Sequence, residues 1–166
     1  MKPATPVERG SLRHRTTLPR FMDAFSGVYQ AYREEPNLRF HIFAGSCVAL
    51  AGYAVGFAPW EVAYLAATIV GVLLAEMVNT AVERTVDLAA AGRRHRLAAQ
   101  AKEVAAGVVL LAALHAAFAA VLLFVVQRGF VATVSAVVAM SLRSPLLLVI
   151  PVVTGVMGLI AGGKRQ

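Results

Sequence analysis

The chain has 166 residues, of which 58% are hydrophobic and only 15% charged, with a formal net charge of +7 and a mean hydropathy of +0.68. That balance excludes an ordinary soluble domain and points to an all-α integral membrane protein. The basic residues border apolar runs, as contact with anionic lipid headgroups requires, so the charge is not read as a nucleic-acid interface. The single cysteine, Cys47, lies in an apolar run and can form no intrachain disulfide. No apolar core with a small-residue cleavage site follows the basic N-terminus, so no signal peptide is expected.

In chain order, residues 1–19 carry Lys2, Arg9, Arg13 and Arg15 with Pro3, Pro6 and Pro19, and read as a flexible basic tail. From Arg20 to Arg33, Phe21, Phe25, Val28, Tyr29 and Tyr32 recur at helical spacing with Asp23, Ser26 and Gln30 elsewhere on the wheel. That pattern predicts an amphipathic helix lying in the membrane interface. Pro36 disfavours helix at Glu35 and predicts a turn there. Leu38 to Phe57 reaches the roughly 20 residues that span hydrocarbon, and its Gly52-x-x-x-Gly56 is a candidate for close helix approach. Ala58-Pro59-Trp60-Glu61 is a turn with an interfacial tryptophan.

A second span runs from Val62 to about Ala90, and Gly92-Arg93-Arg94-His95-Arg96 closes it. A third runs from about Ala98 to Val126, polar at Gln100, Lys102 and Glu103 and apolar afterwards. His115, alone in its apolar part, is expected to be packed or hydrogen-bonded, not a ligand. Phe130 to Met140 is apolar but too short to cross alone, and Leu146 to Ala161 predicts a short fourth span containing Pro151. The expected organisation is a tail over 1–19, a membrane domain over 20–128 made of a surface helix and three transmembrane helices, and a hydrophobic extension over 129–166. The turn between spans one and two has no Lys or Arg, whereas the loop between spans two and three has three Arg. The N-terminus and that loop are therefore expected in the cytoplasm.

The second span ends unusually, with Glu76, Asn79, Thr80, Glu83 and Asp87. At 100° per residue, Glu83 and Asp87 each fall within about 20° of Glu76 around the helix. Three carboxylates, an amide and a hydroxyl thus share a face, and each carboxylate deep in hydrocarbon costs about 2.5–3.5 kcal/mol on insertion scales. Helix-end charges pairing with a neighbour such as Arg84 would be the bland explanation, but buried pairs are weak stabilisers. Glu76 and Glu83 are about 10 Å apart along the axis, too far to share one Mg²⁺ whose ligands lie at about 2.1 Å. Two roles follow. Glu83, nearer water, suits Mg²⁺ binding together with Glu35, and Glu76, deeper, suits removal of a proton from a lipid hydroxyl. Lys102 is placed to neutralise a phosphate. The outline is that of phosphoryl transfer from a Mg²⁺-bound donor to a lipid alcohol.

Glu76-x-x-Asn79-Thr80-Ala81-x-Glu83-x-x-x-Asp87, followed by Ala101-Lys102-Glu103-x-Ala105-Ala106-Gly107, resembles the signature of the small prokaryotic integral-membrane diacylglycerol kinase family. Asn37-x-Arg39-x-His41 is more similar to its undecaprenol kinase branch. The resemblance covers roughly Phe21 to Val126. It implies an ATP- and Mg²⁺-dependent lipid kinase of the bacterial inner membrane, assembled as a homotrimer with sites between subunits. It further implies Glu76 as catalytic base, Glu35 and Glu83 as metal ligands, and Gly27, Arg39, Asn79, Asp87, Lys102 and Glu103 on the nucleotide or lipid. Glu103 departs from the family's usual Asp, and the segment after Arg128 has no counterpart in the three-span pattern. Undecaprenol is the expected acceptor and diacylglycerol the alternative. A noncatalytic scaffold of the same fold and a small transporter with a carboxylate relay are the readings from other classes. The gathering of Glu76, Asn79, Glu83, Asp87 and Lys102 at one membrane face speaks against both.

Overall fold

The computed structural model describes residues 17–162, all-helical with short breaks. Most of the basic tail expected over 1–19, and the closing Lys164 and Arg165, lie outside the described residues. Helix α1 (Thr17–Glu34) is the expected amphipathic element, beginning three residues before the predicted Arg20. Phe21, Met22, Phe25 and Tyr29 stand exposed along it, an apolar face suited to a bilayer surface. The chain breaks at Glu35, in extended conformation (φ −100°, ψ 110°), and Pro36 opens α2 (Pro36–Val55) at the first helical position. A missing N–H costs nothing there.

Helices α2, α3 (Pro59–Ala90) and α4 (Arg96–Ala120, continued by a π-helical turn, Val121–Gln127) are long and apolar enough to cross a membrane. The short Gly56–Ala58 and Ala91–His95 connections fold them back on one another. The register of α2 against α3 is legible from three contacts. A side chain at Gly52 would meet Leu65, one at Gly45 would meet Ile69, and His41 reaches Glu76, so contacts run in opposite directions along the two helices.

The expected Gly52-x-x-x-Gly56 approach is half right. A Cβ at Gly52 would lie 3.2 Å from the Leu65 side chain, whereas Gly56 has nothing within 4 Å and φ +72°. Gly56 ends α2 in the left-handed conformation, with its N–H returned to helix carbonyls. It is a stop and not a packing surface.

The core cluster of Leu65, Leu123 and Phe124 sits at the α2–α3 turn end, with Val48, Phe57 and Ala120 packed against it. Glu61, only 3% exposed, accepts from Ala58 N at 2.6 Å and from Arg128 Nη2 at 2.5 Å. This pair joins the start of α3 to the end of the π-helical turn. Tyr64 meets His115 edge-on at 6.0 Å, while the histidine itself stays exposed on α4, so it is less packed than expected.

The C-terminal extension carries the extra hydrophobic helix expected there, though not as one straight element. It is two helices, α5 (Phe130–Arg143) and α6 (Val149–Gly162), joined through a 3₁₀ turn at Pro145–Leu148. They bend by 107° at the break. Pro145 starts the new turn, and Pro151 lies in the first turn of α6, where a proline is tolerated. Helix α6 packs on α2 and α1, and α5 on α2. Thr133 Oγ1 donates to Phe124 O at 2.7 Å, satisfying a carbonyl of the π-helical turn.

Candidate functional site

The acidic stripe of α3 grades from dry to wet. Glu76 and Thr80 are 3% and 4% exposed, Asn79 and Glu83 are half-buried, and Asp87 is exposed. Helix length accounts for the gradient. Twenty residues rise about 30 Å, the thickness of the hydrocarbon. Counted from Trp60 at one interface, the other interface falls near Thr80. Glu76 then lies about one turn inside hydrocarbon, and Glu83 and Asp87 fall at the headgroup level and beyond.

Each carboxylate has its own neighbour. His41 Nε2 of α2 lies 3.3 Å from Glu76 Oε1. Asn79 Nδ2 donates to Glu83 Oε1 at 3.0 Å, one turn along the same helix. Lys102 of α4 pairs with Asp87 across the α3–α4 hairpin at 2.6 Å. Arg84 Nη2 donates to Glu34 Oε2 at 2.8 Å, the acidic pairing anticipated for that arginine, and it ties the end of α1 to α3. The tie joins the residue before Glu35 to the residue after Glu83.

The remaining expected residues fall at the edge. Arg39 Nη1 donates to the carbonyls of Tyr32 at 3.2 Å and Arg33 at 2.9 Å, closing the C-terminal end of α1 and holding the α1–α2 junction. Glu103 is exposed beside Lys102. Gly27 stands on the exposed α1 with nothing of the chain within 4 Å of its side-chain position, so within one chain it is not brought to the cluster.

Among the described residues no three His, Cys, Asp or Glu side chains form a metal cage. Mg²⁺ asks for less: one or two carboxylates with water and substrate phosphates. The donors suit it. Asn79 Oδ1 is buried beside Glu83 with no hydrogen-bond partner, and amide and carboxylate oxygens are the hard ligands this ion takes.

Sequence reasoning missed two contacts. The motif Asn37-x-Arg39-x-His41 does not by itself reveal His41 as the partner of Glu76. The turn pattern Ala58-Pro59-Trp60-Glu61 does not by itself reveal Glu61 as the buried partner of Arg128. In both cases the signal was available, since the predicted topology already set each pair at the same end of adjacent spans.

The sequence pattern of the prokaryotic diacylglycerol kinase family matches residues 22–124. A diacylglycerol kinase of Synechocystis sp. is 42% identical over 96 residues, covering 58% of this chain and 55% of that protein. The chain thus spans little more than half the length of that relative. An undecaprenol kinase of Bacillus subtilis is 35% identical over 117 residues, covering 67% of this chain and 93% of that protein. No solved structure matches the chain.

Proposed function

The chain belongs to the prokaryotic diacylglycerol kinase family, and on that premise we propose that it transfers the γ-phosphoryl group of ATP to the hydroxyl of undecaprenol at the cytoplasmic face of the bacterial inner membrane. The observation that carries the reading is Glu76. It is a carboxylate in a dry position beside His41, about one turn below the headgroups, where a lipid hydroxyl lies.

In the proposed reaction the lipid alcohol lies against Glu76, which accepts the hydroxyl proton as the oxygen attacks the γ-phosphorus. The bond from the γ-phosphorus to the bridging oxygen breaks, and ADP leaves with that electron pair. Glu35 and Glu83, with Asn79 Oδ1, are the residues that would hold Mg²⁺, which when bound offsets charge on the β- and γ-phosphates. Lys102, held by Asp87, supplies a cation to the phosphates, and Arg39 and Glu103 border the nucleotide side. The open surface around Gly27 leaves room for nucleotide, and a homotrimer with sites between subunits is part of the same proposal.

Diacylglycerol is the second reading, favoured by the name of the Synechocystis relative. The test is transfer of label from γ-labelled ATP to undecaprenol and to diacylglycerol in mixed micelles, with and without Mg²⁺. Mg²⁺-dependent labelling of undecaprenol is expected. Faster labelling of diacylglycerol moves the assignment to that lipid.

A further inference from the structure

Toward the α2–α3 turn from the His41–Glu76 pair, the three spanning helices do not close on one another. Ala44 and Gly45 of α2 and Ala116 of α4 face Thr68 and Val72 of α3 across an apolar cleft of about 160 Å³. His41 lines this cleft and also touches Glu76, so cleft and candidate base share one side chain. Val72 lies one turn from Glu76 on the same buried stripe of α3.

Size limits what the cleft can take. An apolar cavity of about 150 Å³ accommodates a benzene ring, so this one takes a handful of carbons and not a lipid chain. Polarity limits it further. The Thr68 hydroxyl already donates to Leu65 O at 2.8 Å, and His41 Nε2 faces Glu76. The rest of the wall is hydrocarbon.

We propose that this cleft holds the isoprene unit adjacent to the hydroxyl of a polyprenol acceptor, and that it selects polyprenols over diacylglycerol. The inference rests on the lipid-kinase reading of Glu76. A polyprenol is hydrocarbon up to its carbinol carbon, so its first five-carbon unit enters the cleft with nothing left unpaired while its hydroxyl stays at Glu76. Diacylglycerol carries ester carbonyls within a few bonds of its free hydroxyl. In the cleft those carbonyls would lose their water and find no donor, and burial of an unpaired polar group is unfavourable. The remainder of the long prenyl chain needs no site of its own, because it lies in the bilayer.

The test uses the full chain in mixed micelles with γ-labelled ATP and three acceptors: farnesol, undecaprenol and diacylglycerol. Two substitutions on different helices fill the cleft, Ala116→Leu on α4 and Ala44→Val on α2. The native protein is expected to favour both prenols over diacylglycerol by at least about tenfold in kcat/KM, the scale on which an apolar pocket discriminates. Each substitution is expected to lower kcat/KM for the prenols about tenfold or more while leaving KM for ATP unmoved. Should one variant fail to fold, the other and the acceptor series carry the result. Equal use of farnesol and diacylglycerol by the native protein, or native prenol kinetics in both folded variants, overturns the proposed cleft while the kinase reading stands. Failure of the native protein to label any of the three lipids removes the kinase reading, and the cleft assignment with it.

Discussion

Replacing Arg128 by alanine is expected to be among the most destabilising single changes at the α2–α3 turn end of the bundle. Glu61 is 3% exposed, and its Oε2 takes two short hydrogen bonds, from Ala58 N at 2.6 Å and Arg128 Nη2 at 2.5 Å. Removing the guanidinium leaves a buried carboxylate with a single backbone donor, a change that costs about 3–5 kcal/mol. The Arg128 head also lies 5.6 Å from the Phe57 ring centre, and losing that contact adds about 0.5–1 kcal/mol. Glu61→Gln is expected to cost less, about 1–2 kcal/mol, the scale of one hydrogen bond. Its amide oxygen can still accept from Ala58, and the Arg128 side chain, 34% exposed, can be hydrated. The double variant should therefore be more stable than Arg128→Ala alone. The assay is unfolding by SDS titration in mixed micelles, followed by circular dichroism, for the two single variants and the double. A loss below about 1 kcal/mol for Arg128→Ala, or strictly additive losses, would refute the reasoning that the pair matters because Glu61 is buried and charged. Glu61 and Glu76 are separated by about 22 Å along α3, so turnover of the folded Arg128→Ala protein should stay near native.

Asn79→Ala removes the amide that positions Glu83. The Mg²⁺ concentration for half-maximal activity should rise about tenfold or more, as for other changes that misplace a metal-binding side chain; an unchanged Mg²⁺ titration counts against the metal assignment. Lys102→Ala breaks an exposed ion pair with Asp87, so stability should fall by less than about 1 kcal/mol. KM for ATP should nevertheless rise about tenfold or more, the scale of one charged hydrogen bond, and steady-state kinetics at varied ATP reads this directly. Gly56→Ala forces a Cβ into a left-handed residue with φ +72° and no crowding around it. SDS titration should show a purely conformational loss of about 1–2 kcal/mol.

The spans were legible because each holds at least the roughly 20 largely apolar residues that cross hydrocarbon, and the surface helix because its aromatic residues recur at helical spacing. The acidic stripe was legible for a similar reason, since Glu76, Glu83 and Asp87 lie on one helix and their angular relation needs no partner. Contacts between helices were not, because register between two spans is set by where backbones approach. Gly45 and Gly52 allow that approach along α2, and with the resulting offset His41 meets Glu76. The roles of Gly52 and Gly56 could not be separated by spacing alone. The discriminating signal was Pro59 soon after Gly56, the usual company of a helix-ending glycine. For the extension, Ser144-Pro145 marked an interruption, yet the 107° bend depends on how α6 seats against α2 and α1, which no local pattern records.

The proposed reaction turns on Glu76 as the base that activates a lipid hydroxyl. The most direct test is label transfer from γ-labelled ATP to undecaprenol by the native chain and by Glu76→Gln, at saturating Mg²⁺. Glutamine keeps the shape of the side chain and its neighbourhood with His41 but takes up no proton. A loss of at least about a hundredfold in kcat is expected, the low end for an acid–base residue, with KM for ATP little changed. A Glu76→Gln protein that keeps more than about a tenth of the native rate would contradict it.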